Sequence, residues 1–147
     1  YNMPKGQLYD EGGSEKFTNV FKKRKKVFFE VILEEGLGEY AAETVKMFDS
    51  EGAQIGKLTY ANKPDDVIHV THFHIDLWEE KQDHPQRFIK WFEGYAKKKK
   101  AKDLRIEVFE RDAKTYDLVQ ILRGMNYAPT ATGFMKGRSS YELHKKL

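Results

Sequence analysis

Residues 68–92, IHVTHFHIDLWEEKQDHPQRFIKWF, carry the densest set of groups in the chain that could do chemistry. His69, His72 and His74 come first. An imidazole near neutral pH can act as a general base or as a metal ligand. Alternation along a strand places His72, His74 and Asp76 on one face and His69 on the other. Two imidazoles and a carboxylate on one face could hold zinc, but metal ligands usually converge from several elements, so no metal is assigned here. The segment then passes through a short polar loop into a helical pattern. A strand that leads into a helix N-terminus can bind phosphate through backbone N–H groups, and glycines normally let the anion come close. Here Asp83 and Pro85 stand in the loop. Pro85 deletes a donor. Asp83 is a natural N-cap whose carboxylate would take the remaining donors, and it would repel a phosphate at contact by about 1–4 kcal/mol. Glu79 and Glu80 add to the repulsion, while Lys81, His84, Arg87 and Lys90 oppose it. The loop has the position of a phosphate site and the chemistry of a self-capped helix.

The flanking elements follow from hydrophobic period and turn signals. Residues 1–13 contain Pro4 and three glycines with little pattern, and are read as a flexible arm before a single domain over 14–147. Ser14 could cap a short helix over 15–24, with Phe17, Val20 and Phe21 on one face. Strands are expected over 26–34, 40–49, 54–61 and 67–76, joined by EGLGEY, DSEG and NKPDD, which suggests an antiparallel meander. From Pro85 to about Lys100 the apolar residues Phe88, Ile89, Phe92, Tyr95 and Ala96 recur at helical spacing. A strand over 103–110 follows, so strand, helix and strand form a right-handed parallel crossover. AKTYDLVQILRGMNY reads as a second helix with Tyr116, Val119, Leu122 and Met125 inward. Strands around 132–136 and 139–145 close the chain.

The 147 residues suit one domain with a proper core, and an aromatic share of 14% argues against disorder. No apolar run is long enough to span a bilayer, and the first residues are too polar for a signal peptide. The absence of cysteine excludes disulfides, thiolate metal sites and a cysteine nucleophile, and fits a cytoplasmic protein. Net charge is only +3, yet the cations cluster in KKRKK at 22–26 and KKKKAK at 97–102. Either run could meet phosphates, and nucleic acid is a candidate partner through Lys22–Lys26, where Tyr9, Phe17, Phe21, Phe28 and Phe29 interleave. Cations at a helix C-terminus also stabilise its dipole, which accounts for the second run without a partner.

The order of meander, helix, strand, helix and terminal strands resembles the GNAT superfamily of acetyl-CoA-dependent N-acetyltransferases. FHIDLWEEKQDHPQRFIKWFEGYAKK has the cadence of that family's cofactor segment, in which a strand end leads through Gln/Arg-x-x-Gly-x-Gly/Ala into a helix. LVQILRGMNYAP resembles its Ala-x-x-Leu-Tyr-x-x-x-Gly-Phe helix end, and SSYELHKKL its final strand. The resemblance covers about 40–147 and implies an α+β fold with a GNAT-like mixed sheet. It implies acetyl-CoA as cofactor, with the Ile75 backbone on the pantetheine arm and Lys81, Gln82, His84, Gln86 and Arg87 around the pyrophosphate. It places His69 near the position of a general base, and it implies a protein or small-molecule amine as acceptor. The sequence departs from the family at Glu80, Asp83 and Pro85, and at Leu122, which replaces a tyrosine that often acts as general acid. Between Glu35 and Tyr40 there is no room for the two helices that usually shape the acceptor site. Asn126 replaces the helix-stop glycine mildly, since Asn also tolerates a left-handed backbone. The expected function is therefore a degenerate acyltransferase-like domain acting as a binding module, with an active N-acetyltransferase as the alternative.

Overall fold

The computed structural model describes residues 6–11, 25–33, 42–75, 83–109, 115–135 and 138–147. The helix expected over 15–24 and the turn at 35–39 lie outside them. Among the described residues eight strands form one mixed sheet: β1 (Gln7–Asp10), β2 (Phe28–Leu33), β3 (Ala42–Phe48), β4 (Gln54–Lys63), β5 (Val67–Ile75), β6 (Asp103–Phe109), β7 (Ala128–Met135) and β8 (Arg138–Lys146). Their spatial order is β1-β2-β3-β4-β5-β6-β8-β7. Helix α1 (His84–Lys98) joins β5 to β6, and α2 (Thr115–Gly124) joins β6 to β7. Residues 7–10, read from sequence as part of an arm, form an edge strand antiparallel to β2, with Tyr9 opposite Phe29.

The meander β2–β5 is antiparallel throughout. The β4–β5 turn is tight because Asp65 and Asp66 both take left-handed backbone (φ 66° and 58°), which Asp tolerates better than most residues. β5 and β6 are parallel, as a fifteen-residue helical crossover requires. Asn126, with φ 72°, ends α2 as a left-handed stop, and the Tyr127 amide bonds back to the Leu122 carbonyl at 3.0 Å.

The core lies on one face of the sheet. Phe29, Val45, Met47, Leu58, Tyr60, Ile68, Val70, Leu104 and Ile106 supply it from the strands. The α1 stripe Phe88, Ile89, Phe92 and Ala96 packs onto them. Phe29 stacks on Trp91 at 4.3 Å between ring centroids, and Tyr60 meets Phe92 at 5.0 Å. Phe88 and Phe92 are fully buried, and each contributes roughly 2–3 kcal/mol by area. Leu118 and Leu122 bring α2 into the same core, where α2 touches both α1 and β6. No helix among the described residues is long and apolar enough to cross a membrane.

Candidate functional site

The feature that could hold a ligand is a fork between β5 and β6. The two strands pair only over Val67–Val70 and Asp103–Ile106. Beyond that point β5 continues to Ile75, paired only with β4 among the described residues. Meanwhile Glu107–Phe109 of β6 pair with β8. A run of β5 roughly 16 Å long therefore shows one backbone edge toward the fork.

A bulge at the mouth of the fork sets which side chains face where. Thr59 lies opposite His72 and Tyr60 opposite Val70, so Thr71 is the extra residue in β5. Directly opposed residues share a face. His69, His72 and His74 oppose Ala61, Thr59 and Lys57, all on the face turned away from the core. The expectation that His69 faces opposite to His72 and His74 is thus corrected: strict alternation fails across the bulge, and all three share the open face. Phe73 and Ile75 turn to the core, and Phe73 meets Phe88 at 5.4 Å. Asp76 lies outside the described residues. Among those residues no group of His, Cys, Asp or Glu could hold a metal ion.

His69 projects near the crotch of the fork, with its Nε2 3.4 Å from the Glu107 carboxylate on β6. Both side chains are mostly buried, at 21% and 14% exposure. Glu107 was not singled out from sequence. The signal was present, because Asp103, Arg105 and Glu107 alternate along β6, but which strand they would face was not. Ile75 packs its side chain over Gly56. A Cβ at position 56 would lie 2.7 Å from Ile75 Cδ1 and 3.1 Å from Phe88 Cε2, so glycine is what allows the strand end and the helix to close here.

At the start of α1 the structure differs from the expected cap. Asp83 occupies the N-cap position in a left-handed conformation (φ 51°, ψ 39°), and its side chain makes no capping hydrogen bond. Its carbonyl accepts from the Arg87 amide at 2.9 Å. The normal N-cap uses extended backbone to aim its carboxylate at the first amides; the left-handed turn aims it elsewhere. The chain thereby follows a path that glycine takes more readily than Asp. Pro85 sits in the first turn. His84 and Pro85 are buried and Gln86 is half-buried. Lys81 and Gln82 lie outside the described residues. The Arg87 guanidinium is buried and engaged by groups from the N-terminal part of the chain. Its Nε and Nη2 donate to Glu11 at 2.8 and 2.6 Å, and Nη2 also donates to the Lys25 carbonyl at 2.8 Å. This bidentate pair ties α1 to the end of β1.

The opposite end of the sheet is closed by two further charge clusters, one buried around Glu93 and one part-buried around Lys99. Glu93 of α1 accepts from the Tyr127 hydroxyl at 3.0 Å and from Lys145 of β8 at 3.1 Å. Burial, then the Glu93 charge, then this hydrogen bond push the Tyr127 pKa far above the ordinary phenol range. Lys99 donates to Glu43 at 3.0 Å and to the Tyr60 hydroxyl at 2.9 Å. Burial works against its charge, but the hydrogen bond and charge of Glu43 outweigh that and hold its pKa above the usual lysine value. Leu122, at the position of the family's frequent acid tyrosine, is a fully buried core residue.

No family model matches the chain, and no curated protein matches it. Solved structures do. An acetyltransferase from Bacillus subtilis, determined in complex with CoA, aligns over 72% of this chain and 77% of its own, with a TM-score of 0.53 and 15% identity. The IAA acetyltransferase from Bacillus cereus aligns over 82% and 99%, with a TM-score of 0.57 and 11% identity. The ribosomal-protein-S5-alanine acetyltransferase from Vibrio fischeri aligns over 71% of this chain and 61% of its own, with a TM-score of 0.56 and 16% identity. The chain has the fold of the GNAT acetyltransferases. At these identities the likeness is one of fold.

Proposed function

We propose that this domain keeps the acyl-CoA slot of its fold with a weakened grip on the cofactor, and works as a binding module rather than an efficient transferase. The observation that carries this is the engagement of Arg87 by Glu11 beside a first turn that contains Pro85. A pyrophosphate needs cations and backbone donors at that helix start. One cation is engaged by Glu11 and one donor is missing. A pantetheine arm would run along the side of Thr71–Ile75 that no second strand covers among the described residues. Acetyl-CoA, when bound, would supply a thioester-linked acetyl group; the chain's own share is the strand edge at Ile75 and the loop around Lys81, Gln82, His84 and Gln86. This reading also places the protein in the cytoplasm, where acyl-CoA is available.

His69 beside Glu107 favours the second reading, an active N-acetyltransferase that accepts a protein or small-molecule amine. The His69 imidazole Nε2 lies 3.4 Å from the Glu107 carboxylate, and its place at the crotch suits removal of a proton from an incoming amine. Calorimetric titration with acetyl-CoA separates the readings. A dissociation constant weaker than about 100 µM, a binding energy of less than roughly 5.5 kcal/mol, is expected. Micromolar binding together with thiol release in the presence of amines, lost in His69→Gln, would overturn the degenerate reading in favour of the enzyme.

A further inference from the structure

Folding brings the second basic run and the last two residues of the first, Lys25 and Lys26, to one helix. α1 exposes Lys90, Lys97 and Lys98. Its one acidic residue, Glu93, is turned inward onto Lys145 and Tyr127. Just past the helix, Lys100 is exposed and left-handed, with φ 65°, a conformation that glycine adopts at less cost. At the other end of α1 the Lys25 carbonyl receives Arg87, so the first basic run ends beside the first turn, with Lys25 and Lys26 exposed. The cations span α1, a length of about 22 Å.

Gly94 sits in the middle of this stripe. It is exposed, and a Cβ there would meet nothing within 4 Å. Packing therefore gives no reason for a residue that weakens a helix interior. Its positions relative to Lys90 (i−4), Lys97 (i+3) and Lys98 (i+4) make it a bare strip of backbone between lysines. Such a strip lets another chain's backbone approach closely.

We propose that the outer face of α1 binds the phosphate backbone of duplex nucleic acid without reading its sequence. Lysines are flexible point charges that neutralise phosphates and carry little base information. The face offers no stacking platform, because Trp91 and Tyr95 pack with Tyr9 at 5.6 and 5.8 Å. It also offers no apolar wedge for a lipid surface: the exposed large hydrophobics among the described residues, Leu8 and Phe28, lie on β1 and β2. Charge without aromatic or aliphatic anchors fits a polyphosphate better than a membrane or a folded protein. The surface is separate from the fork, and the proposal stands whether or not acyl-CoA binds.

The test is fluorescence anisotropy of the full chain with a labelled mixed-sequence DNA duplex, at about 20–200 mM NaCl. Binding is expected at the low end, with log K falling against log salt at a slope of about −4, as four to five phosphate contacts give. The triple variant Lys90→Gln, Lys97→Gln, Lys98→Gln should bind at least about tenfold more weakly at about 50 mM salt and flatten the slope by about 2.7, with its thermal melt unchanged. Gly94→Ala should bind more weakly without losing thermal stability, since alanine favours the helix while its methyl group fills the strip. No binding at the lowest salt overturns the proposal, as does a triple variant that binds like the parent. Equal affinity for phosphatidylserine vesicles or polyglutamate overturns it too, and so does a Gly94→Ala protein with unchanged DNA affinity.

Discussion

The two ends of the β5–β6 pair are built on opposite plans. At the closed end, Asp103 of β6 is paired on both sides, with Val67 and Lys146. Charges there are matched by partners from distant elements: Glu93 with Lys145 and Tyr127, and Lys99 with Glu43 and Tyr60. At the forked end the same two strands part, one of them bulges, and three histidines face away from the core. Buried ion pairs cost desolvation and are strongly destabilising when one partner is removed. A strand edge with no second strand beside it gives up ladder hydrogen bonds and keeps room for another chain or ligand. The contrast teaches that α1 is tied by charge at both ends, to the sheet interior through Glu93 and Lys99 at the closed end and to the end of β1 through Arg87 at the forked end, while only the closed end has its strands paired on both sides.

Substitutions can break or sharpen this contrast, and the largest effect is expected at the closed end. Glu93→Ala leaves the Tyr127 hydroxyl and the Lys145 ammonium without their acceptor. A loss of about 3 kcal/mol is expected, or roughly 6–12 °C in Tm, read by thermal denaturation. Acetyl-CoA binding below the melt should hardly change; a parallel collapse of both would show that the two ends are not separable. Gly56→Ala comes next. Its methyl group would press on Ile75 and Phe88, and the cost should be about 1–3 kcal/mol. Here titration should show acetyl-CoA affinity falling as well, because Ile75 ends the strand edge that faces the fork.

Tyr127→Phe should cost about 1 kcal/mol near neutral pH, with a pH dependence of defined sign. The unfolded chain releases this proton near the ordinary value of 10.0, while the folded chain holds it well above that. Stability therefore falls as pH rises past about 10, since the unfolded state then binds fewer protons. Lys99, raised above 10.5, adds a loss of the same sign in the same direction. Melting temperature against pH should turn downward above about 10, and less steeply in Tyr127→Phe; equal slopes would remove Tyr127 from the account. The smallest effect is expected for Pro85→Gly at the fork. Freeing the first turn should lower stability by about 0.4–1 kcal/mol, and restoring an amide should strengthen acetyl-CoA binding in titration. Weaker binding would mean that Pro85 shapes the loop rather than obstructs it.

Much of the fold could be read from local pattern. Strands at 54–61, 67–76 and 103–110 and a helix at 85–100 all appear within a few residues of their expected bounds, and the parallel pairing of β5 and β6 follows from the helix between them. Period and turn chemistry are properties of neighbouring residues, so sequence carries them directly. The left-handed stop at Asn126 was legible for the same reason. The strand at Gln7–Asp10 was not, because a four-residue edge strand exists only where β2 offers it a ladder.

The candidate site divides along the same line. Sequence by itself determined that a strand, a polar loop and a helix meet near Ile75, and that glycines are missing from the loop. Tertiary structure decided what those groups do. The bulge at Thr71 is a pairing event with β4, and it moves His72 and His74 to the face of His69. Glu107 becomes a neighbour of His69 only once β6 lies beside β5. Arg87 finds Glu11 across 76 residues of chain, and Lys25 reaches the start of α1 through the same guanidinium. Which charge meets which is a long-range outcome of strand order and register, and a local pattern holds no record of either.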